Sequence, residues 1–177
     1  AVLFIDLDRF KDINDAYGHV VGDQLIVVAA NTIQSTLRDS DVLGRFGGDE
    51  FTILLRNSNA DRASAITERL LNAFQTPLVV GARHLQISPS VGIAVYPAHG
   101  TDIETLIKHA DTAMYEAKRK GGGAFSVYAE EQGARVHQRL NVEHQLRDAL
   151  KRDEFTLVYQ PIVSMLNGQV VGAEALL

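Results

Sequence analysis

The chain has 177 residues, 46% of them hydrophobic and 22% charged, which suits one full domain plus a remainder. No apolar run approaches the roughly 18–20 residues of a membrane span, no signal peptide is visible, and zero cysteines exclude disulfides and thiolate zinc sites, in keeping with a reducing cytoplasm. A net charge of −5 argues against a nucleic-acid-binding face but leaves a nucleotide open, because a metal and a few local cations can meet its charge.

Residues Ala1 to Ile5 form a continuous apolar run, and the first strand is predicted over 2–8. It ends in Asp6-Leu7-Asp8, where strand alternation sends both carboxylates to one face. A helix start carrying Lys11 follows; its free backbone N–H groups and the lysine charge suit a phosphate. Leu25, Val28, Ala29, Ile33 and Leu37 predict a helix over about 22–38, and Ala63, Ile66, Leu70 and Phe74 another over about 60–75. Between them lie strands over 41–46 and 50–56, joined through Gly47-Gly48 into a hairpin that displays Asp49 and Glu50. Such an acidic pair suits divalent metal binding or proton abstraction, while a solvated strand end is the plainer reading of Asp6 or Asp49 taken singly. A strand over 84–96, a helix over 102–120 broken by Gly121-Gly122-Gly123, and a strand over 124–128 follow.

This strand–helix–strand–strand–helix–strand order predicts a ferredoxin-like α+β fold with helices on one face of an antiparallel sheet. The first and third strands are then antiparallel neighbours at the centre, and Asp6 lies beside Asp49 and Glu50. A linker is predicted over 130–152, as a helix over 133–151 with Val142, Leu146, Ala149 and Leu150 on one side. Segments 155–163 and 169–177 flank Asn167-Gly168 and read as a hairpin opening a further domain at about 153.

Residues 1 to about 129 resemble the GGDEF family of diguanylate cyclases. The likeness rests on Asp6-Leu7-Asp8-Arg9-Phe10-Lys11, Asn14-Asp15-Ala16-Tyr17-Gly18-His19, Gly22-Asp23, the Gly47-Gly48-Asp49-Glu50-Phe51 hairpin, Ser90-Val91-Gly92-Ile93-Ala94 and Ala110-Asp111 through Lys118. The family's usual leading helix and the segment before the first strand are absent from this stretch. Residues 153–177 resemble the opening of an EAL cyclic di-GMP phosphodiesterase domain, with Gln160, Glu174 and Leu176 as the matching positions. Later metal ligands of that family fall outside so short a match, so no phosphodiesterase activity is expected of this chain alone.

The resemblance implies a nucleotidyl-cyclase or polymerase-palm fold and condensation of two GTP into cyclic di-GMP and two pyrophosphates. It implies Mg²⁺ or Mn²⁺ held by Asp6, the Leu7 carbonyl, Asp49 and Glu50, with Asp49 as proton acceptor and Lys11 stabilising the transition state. Phe10, Asn14, Asp23 and Lys118 would bind substrate, Lys118 on the distal phosphates and Asn14 with Asp23 on guanine. Helix capping is the alternative for Asp15 and Asp23, and the same plain reading stands against Asn14. Arg38-Asp39-Ser40-Asp41 sits where family members bind inhibitory product, with Arg69 as a second arginine; an arbitrary Arg-x-x-Asp is otherwise a surface pair worth under about 1 kcal/mol. A homodimer, transient if need be, would bring two nucleotides together, and the location implied is cytoplasmic. Of the histidines none shows metal spacing, His19 reads as a structural turn residue, and Tyr17, Tyr115 and Phe51 read as core.

One departure from the family stands out. Where members often carry Gly-Arg-Asn after the lysine, this chain has Gly121-Gly122-Gly123, which removes a triphosphate cation that Arg119 would have to replace. The alternative function is accordingly a GGDEF domain that binds GTP or cyclic di-GMP and regulates an attached phosphodiesterase; a nucleotidyl cyclase of other base choice is a third.

Overall fold

All six residues of β1 (Val2–Leu7) are buried, a pattern that requires cover on both faces of the sheet. The computed structural model describes residues 1–130 and 155–176. After β1 come α1 (Phe10–Tyr17), α2 (His19–Ser35), the hairpin of β2 (Val42–Gly47) and β3 (Glu50–Leu54), α3 (Ala60–Ala73), a small hairpin of β4 (Leu78–Val80) and β5 (Arg83–Leu85), β6 (Pro89–Ala94), α4 (Ile103–Arg119) and β7 (Phe125–Val127). The main sheet runs β2-β3-β1-β6-β7. β1 is antiparallel to both β3 and β6, as the ferredoxin-like order requires, and only β6 and β7 are parallel.

Strand alternation divides the core. Leu3, Ile5 and Leu7 join Phe51, Ile53, Val91 and Ile93 against Leu25, Ala29 and Ile33 of α2 and Ala63, Ile66 and Leu70 of α3. Val2, Phe4 and Ala94 meet Leu106, Ala110 and Met114 of α4. Helices therefore cover both faces, not one as the strand order alone suggested. The reason is chemical: a strand apolar at every position leaves a hydrophobic second face that water cannot be allowed to reach. Gly92 makes the close approach of α4 possible, since a Cβ there would lie 1.8 Å from the Ala110 carbonyl oxygen and 2.2 Å from the Met114 nitrogen.

Element boundaries differ from the expected ones in places that have local causes. Gly18, with φ 84°, separates α1 from α2, so α2 starts at His19 instead of about residue 22 and ends at Ser35. The strand expected over 84–96 is two: β5 stops at Leu85 and β6 starts at Pro89. β1 stops at Leu7 and β3 at Leu54, each a residue or two early. Phe51 is core as expected and Tyr115 is half-buried, but Tyr17 is 49% exposed, with the Arg83 guanidinium 5.8 Å from its ring centroid. The helix α3 is capped by Asn59, which accepts from Arg62 N at 3.0 Å, and α4 by Asp102, which accepts from Thr105 N at 2.8 Å.

Residues 155–176 belong to a second compact unit. In it β8 (Val158–Val163) and β9 (Val170–Leu176) form the expected antiparallel hairpin, with Gln160 opposite Glu174 and Gly168 at φ 69° in the turn. The linker helix expected over 133–151 falls on 131–154, outside the described residues.

Two predictions follow from the packing. Gly92→Ala should cost about 3 kcal/mol, because its methyl group meets helix backbone, and urea unfolding would read this as a lowered midpoint. The second concerns His99, whose Nδ1 accepts from Val95 N at 3.1 Å. Burial, aided by neighbouring His109, holds its pKa below the ordinary 6.5. The unfolded chain then takes up a proton that the folded one resists, so stability should fall as pH drops below about 6.5. Urea midpoints at pH 7.5 and 5.5 should converge in His99→Gln.

Candidate active site

Register places Asp6 opposite Glu50 on β3 and Ser90 on β6, in a row on the α4 face of the sheet. The Leu7 amide donates to the Asp49 carbonyl at 3.3 Å. The N–H and C=O of one strand residue point to the same neighbour, so the Leu7 carbonyl also faces the hairpin. Two segments far apart in sequence thus converge at one end of the sheet. The hairpin tip is held from within: Arg45 Nε and Nη2 donate to the Gly48 carbonyl at 3.0 and 2.7 Å, with Gly48 at φ 47° and a register shift between Arg45 and Gly47.

Against this row stands Lys118, whose Nζ lies 2.6 Å from Asp6 Oδ1. Its ammonium therefore rests on the acid row. Burial pushes the Asp6 carboxyl up, with Lys118 pulling it down and Asp49 and Asp8 adding to the rise. Glu50 is also raised, by burial first and then by Asp6, Asp111 and Asp49. Negative charge exceeds the positive charge available to it. Asp111, raised by burial against the pull of Lys118, is a member of this cluster that sequence reasoning passed over. Its spacing of two helical turns from Lys118 was the available signal. Carboxylate and carbonyl oxygens are the donors a hard divalent cation takes, and the surplus charge fits one. Among the described residues no three acidic or histidine side chains already surround a single point.

Asp8 shares the face of Asp6 but serves a different purpose. Its Oδ1 accepts from Ser90 Oγ at 2.7 Å, and its Oδ2 accepts from Ser88 Oγ at 2.9 Å and Gly123 N at 2.7 Å. The carboxylate clamps the glycine loop to the start of β6. Gly122 has φ 73°, and a Cβ there would lie 2.8 Å from Asp8 Oδ2, so a side chain at this position would be strained and would have to displace the Asp8 carboxylate.

Asn14 lies within α1 and Asp23 in the second turn of α2, whose N-cap is Gly18; neither, nor Asp15, caps a helix. The capping alternative falls away. Asn14 Oδ1 is buried without a partner among the described residues, and a Cβ at Gly22 would overlap it, so the small residue seats the amide between the two helices. Phe10 packs against the core beside Gly22, and Lys11 is exposed with no ion pair among the described residues. His19 is the exposed first residue of α2.

The Arg38-to-Asp41 segment is a closed turn: Asp41 N donates to the Arg38 carbonyl at 3.0 Å and Arg38 N donates to Asp41 Oδ2 at 3.2 Å. Asp41 is buried, while Arg38 is exposed. Arg69 donates from Nη2 to the Thr36 carbonyl, which brings α3 to within two residues of Arg38.

The family model for the diguanylate cyclase GGDEF domain matches residues 1–124. The chain is 40% identical over 177 residues to the bifunctional diguanylate cyclase/cyclic di-GMP phosphodiesterase MucR of Pseudomonas aeruginosa, covering 100% of this chain and 26% of that protein. It is 43% identical over 175 residues to the cyclic di-GMP phosphodiesterase PdeR of Escherichia coli, covering 99% and 26%. It thus spans about a quarter of the length of these relatives. Among solved structures, the GGDEF domain of YfiN (TpbB) from Pseudomonas aeruginosa aligns with TM-score 0.71 at 40% identity, over 72% of this chain and 81% of that one. The GGDEF domain of DgcB from Caulobacter crescentus, solved in complex with c-di-GMP, aligns with TM-score 0.64 at 25% identity, over 71% and 75%.

Replacing Asp8 by alanine removes three hydrogen bonds at once. Amide exchange at Gly123 should accelerate and stability should fall by about 2–3 kcal/mol, charge-assisted bonds being the stronger class; hydrogen exchange and chemical denaturation check the two effects.

Proposed function

Because the chain belongs to the GGDEF family of diguanylate cyclases, and so to cyclic di-GMP signalling, we propose that it condenses two GTP into cyclic di-GMP and two pyrophosphates. The observation that carries this reading is the convergence of Asp6, Asp49 and Glu50 at one sheet end with more negative charge than Lys118 offsets. Asp6, Asp49, Glu50 and the Leu7 carbonyl would hold Mg²⁺ or Mn²⁺, which when bound supplies positive charge to phosphate oxygens. Asp49 takes the proton of the attacking 3′-hydroxyl. Lys11, on α1 and without an ion pair among the described residues, faces the charge that develops on the phosphate, and Lys118 divides its ammonium between Asp6 and the distal phosphates.

Guanine recognition falls to Asn14 and Asp23, with Phe10 behind them. The unpartnered Asn14 Oδ1 supports this, since a buried acceptor left without a donor is costly unless a ligand supplies one. One nucleotide per protomer requires two sites facing across a two-fold axis, hence a homodimer. Arg38 and Arg69, close at the end of α2, would take product phosphate and guanine beside the Asp41 turn. Gln160, Glu174 and Leu176 on the β8–β9 hairpin would open an EAL phosphodiesterase domain. No described helix is long and apolar enough to cross a membrane, and a cytoplasmic site of action accords with the nucleotide substrate.

A second reading has two observations of its own. Gly122 stands where the family often has arginine, and a relative named as a phosphodiesterase is 43% identical. On that reading the domain binds GTP or cyclic di-GMP and regulates its attached partner without turnover.

Incubation with GTP and Mg²⁺, followed by chromatography, should yield cyclic di-GMP. Asp49→Asn should lower the rate by about 100-fold or more. GTP binding with no product at high protein concentration would favour the regulatory reading. In an active preparation, Arg38→Ala should shift the product-inhibition curve to higher cyclic di-GMP; an unchanged curve removes Arg38 from that role.

A further inference from the structure

With glycine at 122, the phosphate end of the site is a cation short, and the structure removes the obvious substitute. Arg119 Nη2 lies 3.1 Å from the carboxylate of buried Glu116, one turn away on the same helix, and is committed there. Lys118 already divides its charge between Asp6 and the distal phosphates. The arginine left over is Arg9.

Three observations single it out. Arg9 lines a cleft of about 360 Å³ together with Asp8, Lys118, Gly121 and Gly122, and also the adjoining cleft of about 390 Å³ that runs along Ile13 and Gln86 to Ser88. Its guanidinium makes no hydrogen bond or ion pair among the described residues, although Asp8 and Asp12 line the same space. Asp8 is instead hydrogen-bonded by Ser88, Ser90 and the Gly123 amide. Finally, Arg9 has φ 57° and ψ 26°, one of two non-glycine residues with positive φ among the described residues, at a helix N-cap where its side chain makes no capping bond. A left-handed non-glycine residue on the wall of a cleft is a reason to look for function.

We propose that Arg9 binds the β- and γ-phosphates of the nucleotide in the cleft it shares with Lys118, Gly121 and Gly122, in place of the arginine missing from position 122. The assignment rests on the GTP reading above and adds the residue that recognises the triphosphate. A guanidinium suits the task because its planar fork can engage two phosphate oxygens together, which an ammonium cannot. Supplying the charge from the first helix, not from the glycine loop, also leaves the Asp8 clamp and the tight Gly122 approach intact.

Calorimetric titration of the full chain with GTP and with GMP, in Mg²⁺ buffer, tests it. Arg9→Gly keeps the left-handed backbone accessible while deleting the cation. It should weaken GTP binding by about 10–100-fold, the range of a charge-assisted contact, and leave GMP binding unchanged. Arg9→Lys should recover part of the loss. If Arg9→Gly unfolds, as a thermal melt would reveal, Arg9→Gln decides by the same criterion. GTP affinity equal to the parent's, or an equal loss for GTP and GMP, overturns the role of Arg9 alone. Failure of the parent chain to bind GTP overturns the nucleotide reading and this assignment together.

Discussion

Burying a carboxylate at the end of the central strand is the constraint around which this domain is organised. Asp6 is only 8% exposed, yet it stands next to Glu50 across the strand pair and near Asp49. An isolated buried charge is strongly unfavourable, so the site must either protonate or be given a cation. The domain supplies one through Lys118 at the end of α4 and still leaves the acids with raised pKa values. Negative charge that Lys118 only partly offsets is thereby held at the end of the central strand.

That arrangement depends on α4 reaching the second face of the sheet. Gly92 lets the helix backbone approach β6, and the same face carries Asp6, Glu50 and Ser90. Packing and chemistry therefore share one interface. The loop beyond α4 is then tied back by Asp8 through the Gly123 amide, which fixes where the chain runs after Lys118. The acid row sits on regular strands and the lysine on a regular helix, so the charges are held by the ladder and the core and not by a flexible loop. Asn14 follows the same logic: Gly22 permits the close helix pair that buries its amide.

Much of this was legible beforehand, for identifiable reasons. The unbroken apolar run of β1 and the Gly47-Gly48 turn are local signals, and both elements formed where they were expected. The pairing of β1 with β3 followed from element order, which is why Asp6 and Glu50 could be placed together. What failed to show was set by contacts across long separations or by single backbone torsions. The α1–α2 break needs the positive φ of Gly18, and the cover of the second face needs α4 over Gly92. Asp8 reads like Asp6 in the sequence, yet the two carboxylates serve different ends because one meets serines and an amide and the other a lysine.

The sequence by itself determined the family, the strand order and the residues with chemical capacity, because turn chemistry, hydrophobic period and motif spacing are properties of neighbouring residues. Only the tertiary structure decided which charges face one another: Lys118 on Asp6, Arg119 on Glu116, and Arg9 beside the glycine loop with no ion pair among the described residues. Coulomb interaction and desolvation depend on distance and burial, and these exist only once segments remote in the chain have packed.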